Sequence, residues 1–324
     1  MKIVTVATHS ERYYPVLRKS CERHKIDLVV LGWGLEWKGL AWKLKLMQDY
    51  IDTLDDNEIV MFIDGYDVIV TQDFDVIEST FLSFNSPMVF GAEQPPSNWI
   101  IRLAYEKLFF PVYGKTYINS GTYMGRVYAL KRFYKLLNDK YQYKGQLELN
   151  DQYLTGVLLR SLPRSDYAVD TDNKLFLNLI NEMLSYKVIK VNDYFRTSPS
   201  VCNGNEIQKY PNLTNKNNNH TPCAVHGPGN NNMYNLITHL GYNVDDLELG
   251  NEDKSFYSAE QQTHWPFMVR TLKHYVPYFI AEIILLVILL ITIIAILIWI
   301  YKYSVSVIYN IPTPPLPLVG SINI

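Results

Sequence analysis

Ile59 to Val70 reads IVMFIDGYDVIV: an apolar run enters Asp64-Gly65-Tyr66-Asp67, and a second apolar run leaves it. Such a run bounded by a turn signal predicts a buried strand over Ile59–Ile63, with two carboxylates at its carboxyl end. In open α/β sheets ligands bind in the crevice beyond those strand ends, so both acids would point to where a substrate lies. Two anions side by side are unfavourable unless a cation or donors compensate. The simplest compensation is a divalent ion that prefers oxygen ligands, Mg2+ or Mn2+. The plain alternative is a turn in which Asp64 caps, Gly65 supplies an unusual backbone angle and Asp67 is solvated.

Outward from this stretch, short apolar runs alternate with amphipathic ones through the first 200 residues, the pattern of an α/β sheet with helices on its faces. Predicted strands are Lys2–Thr8, Asp27–Leu31, Ile59–Ile63, Met88–Gly91, Thr122–Gly125 and a further one near Tyr186–Val191. Predicted helices are Pro15–His24, Ala41–Thr53, Ile100–Phe109, Leu130–Asp139 and Asp151–Leu159. From Ser198 to Asn232 the composition turns to Asn, Pro, Thr and Gly, which is loop chemistry. It includes the glycosylation sequon Asn212-Leu213-Thr214. A phosphatase of the haloacid dehalogenase type also sets acids after a strand, but with one residue between them; here two intervene.

A chain of 324 residues with 48% hydrophobic content can bury a sizeable core. Its 30 basic and 32 acidic residues nearly cancel and form no run, so a nucleic-acid partner is not expected. Cys21, Cys202 and Cys223 lack the short spacing of a zinc site, although Cys202 and Cys223 could pair in an oxidising compartment. From Ile283 to Ile300 no residue is charged and almost all are Ile, Leu or Val. Extended back to Tyr278, that run is long enough to span a bilayer, with aromatic residues at both ends as interfacial anchors. Arg270, Lys273 and His274 before the span, against Lys302 after it, favour a cytosolic N-terminal domain. The tail from Lys302 to Ile324 carries Pro312, Pro314, Pro315 and Pro317 and is expected to be extended.

Ala224 to Asn232 reads AVHGPGNNN, where His226 ends a short apolar run and Gly227 and Gly229 would let backbone amides approach a diphosphate. With this stretch in place the chain resembles the glycosyltransferase domain of the procollagen-lysine hydroxylase/glycosyltransferase (PLOD) enzymes over roughly residues 1–250. The matching stretches are IVTVAT from Ile3, LGWGLEW from Leu31, FIDGYDV from Phe62, and GAE at 91–93 with Trp99 following. They continue with INSG at 118–121 plus Gly125, NDQYLT from Asn150, and HGPG from His226. The resemblance implies a GT-A, Rossmann-like α/β fold, a UDP-sugar donor, and Mn2+ (or Mg2+) held by Asp64, Asp67 and His226. It implies that Tyr66 stacks on the uracil, with Thr8 and Val30 bordering the nucleotide, and that Gly227 and Gly229 line the diphosphate. Trp99, Asn119 and Asp151 are expected near the donor sugar and acceptor.

There are departures. Where the family loop carries an Asn and then a Lys, this chain has Pro228 and Asn232, so the missing cation either weakens donor binding or demands a replacement such as Lys43. Asn150 stands where the family has an acid beside Asp151, and the Gly-rich insertion after Trp37 is shortened. The expected organisation is a transferase domain over 1–257, a linker over 258–277, a transmembrane helix over 278–301 and a Pro-rich tail over 302–324. The expected activity is transfer of glucose or galactose from UDP, with retention, to a hydroxyl such as that of hydroxylysine in a collagen-like protein. Another glycan or lipid acceptor, or a degenerate membrane-tethered scaffold, are the alternatives. The family works in the secretory lumen while the charge bias points to the cytosol, so the two arguments oppose each other on the side the domain faces.

Overall fold

The structure, a computed structural model, describes residues 1–93, 112, 116–179, 191–198, 212–228, 231, 233–243, 284 and 286–301. Trp99, Cys202, Gly229, Asn232, the predicted helix Ile100–Phe109 and the tail from Lys302 lie outside the described residues, as does all of the strand predicted near Tyr186–Val191 except Val191. The chain divides into two compact units, Met1–Gln262 and Thr263–Ile324.

The first unit is built on a six-stranded sheet. Its strands are β1 (Lys2–Val6), β2 (Leu28–Leu31), β3 (Ile59–Ile63), β5 (Met88–Glu93), β6 (Tyr117–Arg126) and β7 (Ala168–Asp170), in the order β2-β1-β3-β6-β5-β7. The strands β2, β1 and β3 run parallel, β6 is antiparallel to both β3 and β5, and β7 is parallel to β5. All five residues of β3 are buried, as befits a central strand covered on both faces. The predicted extent of β3 is met residue for residue. In β6 the strand runs from Tyr117, longer than the predicted Thr122–Gly125.

A second, three-stranded sheet joins β4 (Val68–Val70), β11 (Ala224–His226) and β8 (Phe176–Asn178), in the order β4-β11-β8. Here the structure corrects the reading of Ser198–Asn232 as loop alone. It contains β11, and β10 (Asn212–Asn215), which pairs antiparallel with β9 (Phe195–Ser198). Strands of three or four residues give too short a periodic run to stand out from Asn-rich surroundings.

Helices α1 (Tyr14–Arg23), α2 (Leu40–Ile51), α3 (Phe74–Ser83), α4 (Val127–Tyr141) and α5 (Asp151–Ser161) pack around the sheets, with short α6 (Val191–Tyr194) and α7 (Tyr234–His239) further on. In α4 the buried positions are Val127, Leu130, Tyr134 and Leu137, with Ala129 and Phe133 beside them, the spacing of one helical face. That face meets the large sheet through an aromatic stack. Phe62 and Phe90 lie 5.0 and 5.6 Å from the Tyr123 ring, and Phe133 lies 5.7 Å from Phe90. Val191 opens α6, so the strand expected there is not formed at its described end.

In the second unit, residues 286–301 form an uninterrupted helix with exposed side chains. Among the described residues no helix is long and apolar enough to cross a membrane. Residues 278–283 and 285 of the span expected over 278–301 lie outside the described residues. Cys223 is a buried free thiol, and Cys202, its possible partner by sequence, lies outside the described residues.

Candidate functional site

Three ligand-type residues are delivered to one point by the ends of three strands. Asp64 follows β3 directly, and its amide donates to Gly121 O of β6 at 2.8 Å. Gly65 then turns the chain against β1, where a Cβ would stand 2.9 Å from Val6 O. Asp67 immediately precedes β4, and β4 pairs antiparallel with β11 so that His226 lies opposite Val68. The Gly227 amide closes the pairing by donating to Asp67 O at 2.8 Å. One ligand atom each from Asp64, Asp67 and His226 lies within 4.8 Å of the others.

The electrostatics of this cluster are unresolved without a cation. Burial pushes the Asp64 carboxyl above its ordinary range, with Lys43 opposing. Burial works in the same direction on Asp67, but the adjacent His226, then Arg12 and Lys43, draw that carboxyl below it. For His226 burial favours the neutral ring, yet Asp67, then Asp64 and Glu93, raise it overall. The His226 Nε2 atom is 3.2 Å from Asp67 Oδ1. It is buried and makes no well-formed hydrogen bond, so its link to Asp67 is chiefly one of charge. An orphaned imidazole nitrogen facing two carboxylates is a donor set that fits a divalent cation. A Cβ on Gly121 would occupy the same space, 2.3 Å from Asp64 Oδ2 and 2.9 Å from His226 Cε1.

Lys43 of α2 is the internal cation of the site. Its Nζ lies 2.8 Å from Asp64 Oδ1 and 3.0 Å from Asp151 Oδ2. Burial opposes its charge, but Asp151 and Asp64 outweigh burial and hold it firmly protonated. Ser120 Oγ donates to the same Asp151 oxygen at 2.9 Å. Asp151 is the first residue of α5, and Asn150 is its N-cap, accepting from Tyr153 N at 2.9 Å. Asn150, in the place of a family acid, thus has a structural use: it satisfies a free helical N–H. Asn119 is fully engaged as a brace. Its Nδ2 donates to Glu93 Oε2 at 2.8 Å, and its Oδ1 accepts from Gly121 N at 2.8 Å. Gln152 Nε2 donates to the same Glu93 oxygen at 2.9 Å.

These contacts come together because β6 slips. Its register against β5 passes from Phe90–Tyr123 to Gly91–Asn119, so β6 carries three more residues than β5 across the irregularity. They are Ser120, Gly121 and Thr122, and bulges of this kind re-aim side chains beside sites.

On the nucleotide side, the Thr8 amide donates to the Tyr66 hydroxyl at 2.8 Å, so these two predicted residues are adjacent. Tyr14 lies between Tyr66 and the exposed Trp33, at 6.4 and 5.1 Å between ring centres. Val30 is half-buried on β2 and pairs with Thr5. The Gly227 amide is used by Asp67 O, and its missing Cβ makes room for Met233 Sδ, which a Cβ would meet at 2.8 Å.

Residues that the sequence reading passed over are Ser120, Gln152, Glu93 and Asn178. The first three sit inside stretches already singled out, INSG, NDQ and GAE, where polar residues next to named ones were a usable signal. Asn178 sits in Phe176–Asn178, a three-residue strand with no motif around it.

A mixed α/β sheet whose strand ends bring two acids and a histidine to one buried point is the arrangement expected of a glycosyltransferase domain of the kind the sequence resembles. The family model for the PLOD GT domain matches residues 1–242, and the chain belongs to that family. It is 28% identical over 229 residues to a multifunctional procollagen lysine hydroxylase and glycosyltransferase of Caenorhabditis elegans, covering 64% of this chain and 30% of that protein. It is 27% identical over 226 residues to the LH3 enzyme of that description from Homo sapiens, covering 63% and 29%. The chain thus spans about a third of the length of these relatives. Among solved structures, the galactosyltransferase LgtC with donor and acceptor sugar analogs is 16% identical, with a TM-score of 0.42, over 71% of this chain and 87% of that one.

Proposed function

We propose that this domain moves a hexose, glucose or galactose, from a UDP-sugar to an acceptor hydroxyl, with Asp64, Asp67 and His226 holding Mn2+ or Mg2+. The observation that carries the reading is the convergence of these three groups around an orphaned, buried His226 Nε2. A divalent cation there would carry the charge that develops on the departing diphosphate. The remaining chemistry belongs to the chain. The hydroxyl of Tyr66 is tied to the Thr8 amide, which holds its ring at the cleft for a nucleobase. Lys43 offers a second positive charge beside the same site, in place of the family lysine that Asn232 replaces. Asp151 is held on one oxygen by both Lys43 and Ser120, so it orients its neighbours and does not act as a general base. A front-face transfer with retention needs no such base, since the leaving phosphate oxygen can take the acceptor proton.

The relatives' names favour hydroxylysine of a collagen-like protein as acceptor. C-terminal anchoring in a membrane is part of the proposal. Its support is the run of exposed Ile, Leu and Val side chains over residues 286–301, for which an apolar partner is the natural environment. Membrane fractionation reports anchoring, and protease protection together with occupancy of Asn212 reports the side. The activity is tested by UDP release from UDP-glucose and UDP-galactose with Mn2+ or EDTA, for the full chain and its Asp67→Ala variant. Metal-dependent turnover lost in the variant is expected. UDP binding without turnover on any acceptor would return the chain to a scaffold, and no UDP binding would sink the reading.

A further inference from the structure

The three converging groups come from two sheets. Asp64 extends the large sheet, whereas Asp67 and His226 belong to the small one. The side chain of Asn178, on β8 of the small sheet and 1% exposed, reaches across the join. Its Nδ2 donates to Ala92 O of β5 at 2.8 Å. Its Oδ1 accepts from Thr122 Oγ1 of β6 at 3.3 Å and lies 2.7 Å from His226 Nδ1.

Only the NH2 end of the amide can donate to the Ala92 carbonyl, so the oxygen end must face His226. That oxygen has no proton to give, which places the hydrogen on Nδ1. A neutral imidazole carries one N–H, so Nε2 is left with a lone pair, and Nε2 is the buried atom without a hydrogen-bond partner. Gly91 keeps space for this arrangement, since a Cβ there would stand 2.6 Å from Asn178 Nδ2 and 2.3 Å from Thr122 Oγ1.

We propose that Asn178 is a positioning residue: it holds His226 as the Nδ1–H tautomer and aims the Nε2 lone pair between Asp64 and Asp67, a role that rests on the divalent-cation reading above. A partner on the far nitrogen is the usual way a histidine ligand is oriented and made more basic. The same amide also ties the small sheet to the large one through Ala92 O.

The test uses the full chain with 15N-labelled histidine, His226 being identified by loss of its signals in His226→Gln. Ring-nitrogen shifts recorded without metal along a rising pH series, read at the plateau where the ring has become neutral, report the tautomer. Calorimetry reports Mn2+ affinity. The wild type is expected to carry its proton on Nδ1. Asn178→Leu, of similar volume but without an acceptor, is expected to lose the single tautomer and to bind Mn2+ about 10–100-fold more weakly. Asn178→Asp still offers Nδ1 an acceptor and is expected to keep the tautomer and most of the affinity, an outcome that a purely structural role would not produce.

A wild-type ring protonated at Nε2 overturns the proposal, as does a folded Asn178→Leu with undiminished Mn2+ affinity. If Asn178→Leu does not fold, the wild-type tautomer and Asn178→Asp decide: loss of either the Nδ1–H form or Mn2+ affinity in Asn178→Asp overturns it. Failure of the wild type to bind Mn2+ overturns the cation reading itself, and the role of Asn178 with it.

Discussion

Replacing Gly121 by alanine adds one methyl group where Asp64 and His226 meet. Gly121 has no left-handed backbone angle, so alanine is acceptable to the chain itself and the effect is steric. The new Cβ would stand 2.3 Å from Asp64 Oδ2 and 2.9 Å from His226 Cε1. An ordinary carbon–oxygen contact is about 3.3 Å, so roughly 1 Å has to be absorbed. The Asp64 backbone cannot easily yield, because its amide is bonded to Gly121 O at 2.8 Å. Its carboxylate cannot swing freely either, being held by Lys43 at 2.8 Å. Overpacking of this kind costs about 1–3 kcal/mol of stability. Misplacing a ligand by ~1 Å is far outside the ~0.2 Å tolerance of a metal site and is expected to lower turnover by about 100-fold. Calorimetric titration with Mn2+, UDP release and urea unfolding measure the three effects. A Gly121→Ala protein that binds Mn2+ as tightly as wild type and turns over normally would refute both the cation position and the reasoning from contact distances.

Truncating Phe62, the sheet residue stacked on Tyr123, to alanine is expected to cost about 3–5 kcal/mol in urea unfolding. Lys43→Met leaves Asp64 and Asp151 buried without their shared cation. A loss of about 3–5 kcal/mol is expected, with Mn2+ restoring much of the melting temperature because it supplies charge at the same place. His226 has its pKa raised in the fold. Its pairing with Asp67 therefore adds stability that is complete below the unfolded value near 6.5 and fades as pH rises through the higher folded value. Cation binding has the opposite sign, since a ligand histidine must be neutral, so thermal shifts by Mn2+ should grow over the interval in which the apo protein loses stability. Burial pushes the thiols of Cys21 and Cys223 up to about 12, so in a Cys202→Ser background neither should react with a thiol reagent at about pH 8 until the protein unfolds. Rapid labelling of either would contradict their placement in the core.

What the amino-acid sequence determined by itself was the local order of elements and the main acidic pair. The run IVMFI is buried on every side chain, and a stretch of that kind before Asp-Gly has few structural outcomes other than a central strand and a turn. The helical face of α4 was similarly legible from spacing, as its period is a property of the chain alone. Three-residue strands were not, because β4, β8 and β11 exist through pairing with one another and have no periodic pattern long enough to announce them. Two positions gained their meaning from the fold in the same way: Asn150 is a helix cap, and the Gly227 amide is bonded to Asp67 O.

Which residues meet was a decision of the tertiary structure. His226 is 159 positions from Asp67, and only antiparallel pairing of β11 with β4 sets them 3.2 Å apart. Lys43 reaches Asp64 and Asp151 from a helix, and Asn178 reaches His226 and Ala92 across two sheets. Charge and hydrogen-bond partners at such distances along the chain depend on how whole elements pack. The residue types that could do the chemistry could therefore be read in order, while the tautomer, the carboxylates that Lys43 joins and the braces behind the ligands appeared only once the sheets were assembled.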